Sequence, residues 1–243
     1  MPHLSVVIPA YNEEARLPKT LERTHAYLRG TGFSFEFVIV DDGSTDGTVQ
    51  AVRTLSGTRP EIRVLSDGIN HGRGAAVKKG IMEARGDLIL ETDSDGSVAD
   101  EAIGRFVAAF DTDSSLAVIF GSRMMEGSRI VLWQPWHRTA LGYGFLFLAR
   151  AMFWMWRTSD FTLGFKMYRR EAARDIFAHQ YDPFYVAEAE KVFVAKIRGH
   201  TFCELPVTWT DDPDSRVRPL RDTIRSLVGM VRILARFVRG RYR

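Results

Sequence analysis

The sequence predicts an α/β fold built on a mostly parallel central sheet with helices on both faces. Three observations point there. Short β-branched, apolar runs alternate with helical patterns along the first half of the chain, the order that lays strands side by side through crossover helices. The runs lack clean apolar–polar alternation, which suits strands covered on both faces. The polar clusters of the first half each follow a run, so in a parallel sheet they share its carboxyl edge.

Taken in order, the runs at 4–8 (LSVVI), 35–40 (FEFVIV), 62–65 (IRVL), 88–91 (LILE) and 117–120 (AVIF) predict five strands. Helical patterns lie between them near 13–28, 46–55, 75–84 and 100–110. The first strand is followed by Pro9-Ala10-Tyr11-Asn12-Glu13 and the second by Asp41-Asp42-Gly43-Ser44. Asn70-His71-Gly72-Arg73-Gly74 follows the third, Asp93-Ser94-Asp95-Gly96 the fourth, and Gly121-Ser122-Arg123 the fifth. Scattered turns would not sort onto one edge in this way, and open parallel sheets bind ligands there.

With 243 residues, 45% hydrophobic and 26% charged, the chain can bury a sizeable core as one large domain or a domain with an extension. Its single cysteine, Cys203, excludes an intrachain disulfide framework and a cysteine metal cluster, and reads as a small buried hydrophobe. Residues 4–8 are too short for the apolar core of a signal peptide and no basic segment precedes them. No clear transmembrane span is expected. Residues 139–156 come nearest to one, but Arg150 interrupts them, and they read as a core helix or a membrane-interface element.

Asp93 and Asp95, one residue apart after an apolar strand, supply hard oxygen ligands suited to Mg²⁺ or Mn²⁺. Mg²⁺ usually takes one or two carboxylates and completes its shell with substrate phosphates and water, so a diphosphate is the natural third party. Gly96 lets backbone approach closely, and Ser97 could add a hydroxyl. The 70–74 loop precedes a helix, so its amides and Arg73 could meet an anion, which counts Arg73 among the candidate nucleotide-sugar-binding residues; the alternative is a turn feeding that helix with Lys78 and Lys79 solvated. Asp41 to Ser44 could bond a base or ribose, or simply cap a helix together with Asp46. Tyr11 offers a flat face for stacking.

The segments VVIPAYNEE, VDDGSTDGT, NHGRGAAVKKG, TDSDG and GSR, in this order and spacing, resemble the family 2 glycosyltransferases of GT-A (Rossmann-like) fold. SDFTLGFKMYRR (159–170), ELPVTW (204–209) and DSRVRPLRDTIR (214–225) are similar to the subgroup that moves sugars onto polyprenyl phosphates, the dolichyl-phosphate mannose and glucose synthases. The resemblance implies that Pro9, Tyr11, Glu13, Val40 and Asp42 hold the nucleoside of a nucleotide-sugar, a UDP- or GDP-hexose. It implies that Asp93, Ser94 and Asp95 meet the metal and diphosphate. It places Arg123 and Arg138 on the diphosphate or the acceptor phosphate, Arg216 over the donor, and Glu190 near the acceptor. Ser97 stands where mannose-transferring relatives often carry a glutamine metal ligand, and the DSDGS run leans towards the glucose type. The stretch Tyr185 to Ala189 departs from the usual pattern.

These implications make residues 1–212 a catalytic domain, with an aromatic-rich helical segment at 129–157, and 213–243 a basic amphipathic helix on a membrane surface. From Asp214 to Arg243 there are nine arginines and two acidic residues. At about 100° per residue, Arg221, Arg225, Arg232, Arg236, Arg239 and Arg243 fall within a stripe about 60° wide, and the Leu, Ile and Val positions centre about 120° away. Such a helix lies well on an anionic membrane surface, and reads otherwise as one packed on the body or against a second copy. No nucleic-acid motif is present, so nucleic acid is not an expected partner. The expected placement is peripheral, on the cytoplasmic side of a membrane, with an integral-membrane partner or a homo-oligomer as further possibilities.

The acceptor decides the chemistry. A phosphate monoester is largely dianionic at neutral pH, so no side chain need remove a proton. Direct displacement from an α-linked donor would then give a β-linked lipid-phosphate hexose, glucose or mannose. A sugar-hydroxyl acceptor would instead need a general base, Glu190 or Glu188. A third alternative is a non-catalytic nucleotide-binding or scaffold protein.

Overall fold

β1 (Leu4–Ala10) and β2 (Phe35–Asp41) pair in parallel, and every residue of the two except Phe35 is buried. That is the burial expected of apolar runs without alternation. The structure, a computed structural model, describes residues 2–133, 135–211 and 219–243, without the side chains of residues 137, 138 and 219–223. β3 (Ile62–Ser66) extends the sheet beyond β2, and β4 (Leu88–Glu91) joins β1 on its other side, both in parallel. Next come β7 (Lys166–Arg169), β5 (Val118–Ser122) and β8 (Phe202–Pro206), giving the order β3-β2-β1-β4-β7-β5-β8. Only β7 runs antiparallel to its neighbours. It is central, and the sequence reading assigned no strand there.

α1 (Leu17–Thr31), α2 (Thr48–Ser56) and α4 (Glu101–Thr112) pack on one face of the sheet. α3 (Arg73–Glu83), α6 (Arg170–Ala178) and α7 (Ala187–Ile197) pack on the other. α3 lies unusually close to β1, because a Cβ on Gly80 would stand 2.4 Å from Cγ1 of Val7. α1 begins at Leu17 and not near residue 13, with Pro18 in its first turn, where the missing N–H costs nothing.

The 129–157 segment is not helical throughout. Its start is a strand, β6 (Arg129–Leu132), paired in parallel with β9 (Thr208–Thr210), and the helix α5 (Trp136–Phe153) follows. Leu146, Ala149 and Phe153 of α5 are buried in the core, whereas Trp136, Tyr143 and Phe147 are exposed. α5 therefore buries one face in the core and leaves the other exposed. α8 (Pro219–Val238) contributes Met230 and Ile233 to that same core, and Tyr242 just beyond it is buried as well. Its Ile224, Val231 and Val238 remain 56%, 61% and 80% exposed, so the apolar stripe faces outward. No helix among the described residues is long and apolar enough to cross a membrane.

Candidate active site

The strand-end loops enclose a cavity of about 330 Å³. Pro9, Tyr11 and Glu13 reach it from the first loop, Asp42 from the second, Arg73 from the start of α3, and Asp93, Ser94 and Asp95 from the fourth. A parallel sheet brings these loops to one edge, so residues spread over 87 positions share one space. Thr162, Gly164, Tyr185 and Glu188 close the cavity from the later half of the chain.

Asp42 fastens the third loop to the second. Its carboxylate accepts the N–H of His71 at 2.7 Å and of Gly72 at 3.0 Å, and Asn70 donates to its carbonyl at 2.9 Å. Burial pushes the Asp42 carboxyl up, against the opposing pull of those two amides. Gly72 sits at φ +97°, with the carbonyl of Pro183 only 2.4 Å from where a Cβ would be, so this turn requires glycine. Glu13 is clamped by Arg16 through both carboxylate oxygens, at 2.7 and 2.6 Å.

Asp93 receives Nε and Nη2 of Arg73 on one oxygen, Oδ1, at 2.9 and 2.6 Å. Among the described residues its Oδ2 takes no hydrogen bond, and 39% of the side chain is exposed. Asp95 lines the same cavity and accepts the N–H of Ser97 at 2.9 Å. A partly exposed carboxylate with one uncommitted oxygen, two positions from a second carboxylate, fits a hard cation that completes its shell with phosphate and water. No cluster of three or more His, Cys, Asp or Glu groups suited to a metal occurs among the described residues.

Arg73, which could meet an anion, lines the cavity but is already paired. Three carboxylates surround it: Asp93, Glu188 through Nη1, and Glu91 at 3.5 Å. Behind it, Lys166 bonds Oε2 of Glu188, and Lys191 bonds Glu188 at 2.7 Å and Glu91 at 2.5 Å. Tyr168 donates its hydroxyl to Glu91 at 3.2 Å. Burial would raise the Glu188 carboxyl, yet Lys166, Lys191 and Arg73 hold it well below the usual carboxylate range. Burial, and then the charge of Glu188, pushes Glu91 up.

Arg123 lies outside this cavity, beside a smaller one of about 80 Å³ lined also by Trp133, Tyr143, Leu146 and Trp209. Thr162 borders both cavities. Asp160, fully buried, holds the Arg123 guanidinium at 2.7 and 3.1 Å, and the cation stands 5.2 Å from the centre of the Trp209 ring. Burial opposes the Asp160 charge, but Arg123 and the Thr162 hydroxyl hold that carboxyl below its ordinary range.

The remaining expected residues lie elsewhere. Val40 is buried in β2, and Ser97 lends its carbonyl to the N–H of Thr210; neither lines the cavity. Glu190 is fully buried and turned away from it. Its Oε2 accepts the N–H groups of Tyr181 and Asp182 at 3.0 and 2.7 Å, and its Oε1 accepts the Tyr242 hydroxyl at 2.5 Å. It ties α7 to the chain end after α8. The side chain of Arg138, on α5, and all of Arg216 lie outside the described residues. Glu188, Lys166 and Lys191 were missed as a group. The only signal was two glutamates and two lysines in an otherwise apolar helix, and which of them faces the cavity depends on how α7 docks.

The sequence model of glycosyl transferase family 2 matches residues 5–177. Across 98% of its length the chain is 32% identical to a dolichyl-phosphate beta-glucosyltransferase of Trichomonas vaginalis, covering 72% of that protein. It is also 32% identical to the dolichyl-phosphate beta-glucosyltransferase of Dictyostelium discoideum, with 98% and 76% covered. Among solved structures, the fold resembles mannosyl-3-phosphoglycerate synthase from Rubrobacter xylanophilus, with TM-score 0.73 at 20% identity, covering 98% of this chain and 74% of that one. It also resembles glucosyl-3-phosphoglycerate synthase from Mycobacterium tuberculosis, solved with Mn²⁺ and UDP-glucose, with TM-score 0.69 at 19% identity and 95% and 78% covered. These are GT-A transferases, and the mostly parallel sheet flanked by helices is theirs.

Proposed function

The chain belongs to glycosyl transferase family 2 and is a glycosyltransferase, and from that premise we propose that it moves glucose from a nucleoside-diphosphate glucose to a dolichyl or related polyprenyl phosphate. One observation carries the proposal. The similarity to dolichyl-phosphate beta-glucosyltransferases runs over 98% of the chain, well past the residues that the family model matches. Glucose, and not mannose, is the sugar those relatives are named for.

The geometry supports a phosphate acceptor over a hydroxyl. A hydroxyl needs a general base whose pKa lies near the working pH. Glu188 lines the cavity, but three cations hold it well below that range. Glu190 does not border the cavity at all. A phosphate dianion needs neither of them.

In this reading Asp93 and Asp95 hold Mg²⁺ or Mn²⁺, which when bound neutralises the departing nucleoside diphosphate. Pro9, Tyr11, Glu13 and Asp42 form the wall for the nucleoside. Arg123, aligned by Asp160, stands where the two cavities meet at Thr162 and orients the acceptor phosphate for attack from the far side of the sugar. A single displacement inverts the anomeric carbon and gives the β-linked product. The outward apolar faces of α5 and α8, with the arginines of α8, suit attachment to the membrane surface where a lipid acceptor resides.

The test offers the purified chain UDP- and GDP-linked glucose and mannose with dolichyl phosphate, with and without divalent metal. The expected product is β-glucosyl dolichyl phosphate, formed only when metal is present. Turnover with a sugar-hydroxyl acceptor alone would overturn the proposal.

A further inference from the structure

Three cations and three carboxylates meet at the cavity edge: Arg73, Lys166 and Lys191 against Asp93, Glu91 and Glu188. The group is neutral as a whole but unevenly divided. Arg73 is held from two sides, by Asp93 towards the cavity and by Glu188 towards the interior. Glu188 is shared in turn with two ammonium groups, Lys166 fully buried and Lys191 at 1% exposure.

We propose that Glu188, backed by Lys166 and Lys191, is a positioning group that competes with Asp93 for Arg73 and so sets how readily Asp93 takes a divalent cation. The inference rests on the reading of Asp93 and Asp95 as the metal ligands. A guanidinium bound wholly to Asp93 would have to be displaced before a cation could use that carboxylate. A guanidinium drawn wholly to Glu188 would leave Asp93 bare. The two lysines hold the division between these extremes by neutralising most of Glu188.

The parts are rigid enough to keep this balance. Lys166 faces Glu91 directly in the antiparallel register of β4 and β7, so the sheet fixes both. Lys191 and Glu188 are one turn apart on α7. Gly164 covers the Arg73–Asp93 pair, and a Cβ there would stand 2.2 Å from Nη2 of Arg73 and 2.5 Å from Oδ2 of Asp93. The pair therefore occupies space that only a glycine leaves open.

The balance predicts effects of opposite sign, which a purely structural role would not produce. Mn²⁺ affinity is measured on the full chain with UDP present, from the loss of the free-ion electron paramagnetic resonance signal, without turnover. Glu188→Gln leaves Asp93 as the main partner of Arg73 and should weaken Mn²⁺ binding roughly tenfold, while Lys166→Met strengthens the pull of Glu188 and should tighten it roughly threefold. The double variant should match Glu188→Gln to within about twofold, because the pull on Arg73 that Lys166 moderates is that of Glu188. It leaves neither charge of the pair unpartnered, so it carries the test if Lys166→Met does not fold. Single variants that both weaken binding, or a folded Glu188→Gln that binds Mn²⁺ like the parent, overturn the inference while the metal reading stands. A parent chain that binds no Mn²⁺ in the presence of UDP overturns the metal reading itself.

Discussion

At the cavity edge the charged side chains are matched almost atom for atom, and Arg73 alone meets three carboxylates. Along α5 and α8 the opposite holds: Trp136, Phe147, Val231 and Val238 are largely exposed to solvent. α7 separates the two regions. Glu188 looks into the first and Glu190 towards the second, although only one residue lies between them, because positions i and i+2 of a helix face away from each other. At the cavity edge most of the charges are matched within this chain, with Oδ2 of Asp93 left for a ligand. The α5–α8 face is left open, as suits a surface completed by something outside the chain.

The largest expected effect lies at the edge. Asp95→Ala should lower kcat/KM roughly 100- to 1,000-fold, since a bound metal contributes several kcal/mol of charge stabilisation in the transition state. Its melting temperature should stay close to the parent's, because Asp95 is not among the buried side chains. Full activity in Asp95→Ala would break the comparison at once, for the edge would then hold no chemistry that depends on this carboxylate.

The edge was legible in the sequence because each of its loops directly follows a strand whose apolar run is unmistakable. Asp42, Asp93 and Asp95 were found by position, with no side-chain geometry needed. Lys166 and Lys191 were not, and Glu188 was named only as an alternative base, because all three arrive from β7 and α7, and the antiparallel insertion of β7 cannot be read from a local pattern. Glu190 shows the same limit in reverse. Its residue type suited the acceptor side, but the docking of α7 turned it towards Tyr242. The character of α8 was visible as periodicity, whereas which of its faces meets the body depended on Gly229. A Cβ there would lie 2.5 Å from Cγ1 of Val186, so this side of the helix packs inward.

The intermediate effect belongs to the junction. Tyr242→Phe removes the hydroxyl that Glu190 accepts and should cost about 1.5–3 kcal/mol, the usual worth of a hydrogen bond to a charged group. For a chain of this size that is a fall of roughly 3–10 °C in Tm. Turnover of donor and acceptor in detergent should change less than about threefold at a temperature where the variant is folded. A large loss of kcat at unchanged Tm would show instead that Glu190 belongs to the cavity edge, and the division between the two regions would fall.

The smallest effect tests the open face. Val231 is 61% exposed on α8, and burying a valine side chain is worth about 1.5 kcal/mol, or roughly a tenfold change in partition. Val231→Ser should therefore weaken binding to phosphatidylserine–phosphatidylcholine vesicles up to about tenfold in a sedimentation assay, with activity in detergent unchanged. Salt separates the two parts of the attachment. Arginines near an anionic surface contribute roughly 1 kcal/mol each and are screened as ionic strength rises, whereas the valine term is not. The ratio of parent to variant binding should thus persist at high salt while both affinities fall. If Val231→Ser binds vesicles as the parent does at every salt concentration, the exposed stripe of α8 does not enter lipid, and its outward face must be covered by something else.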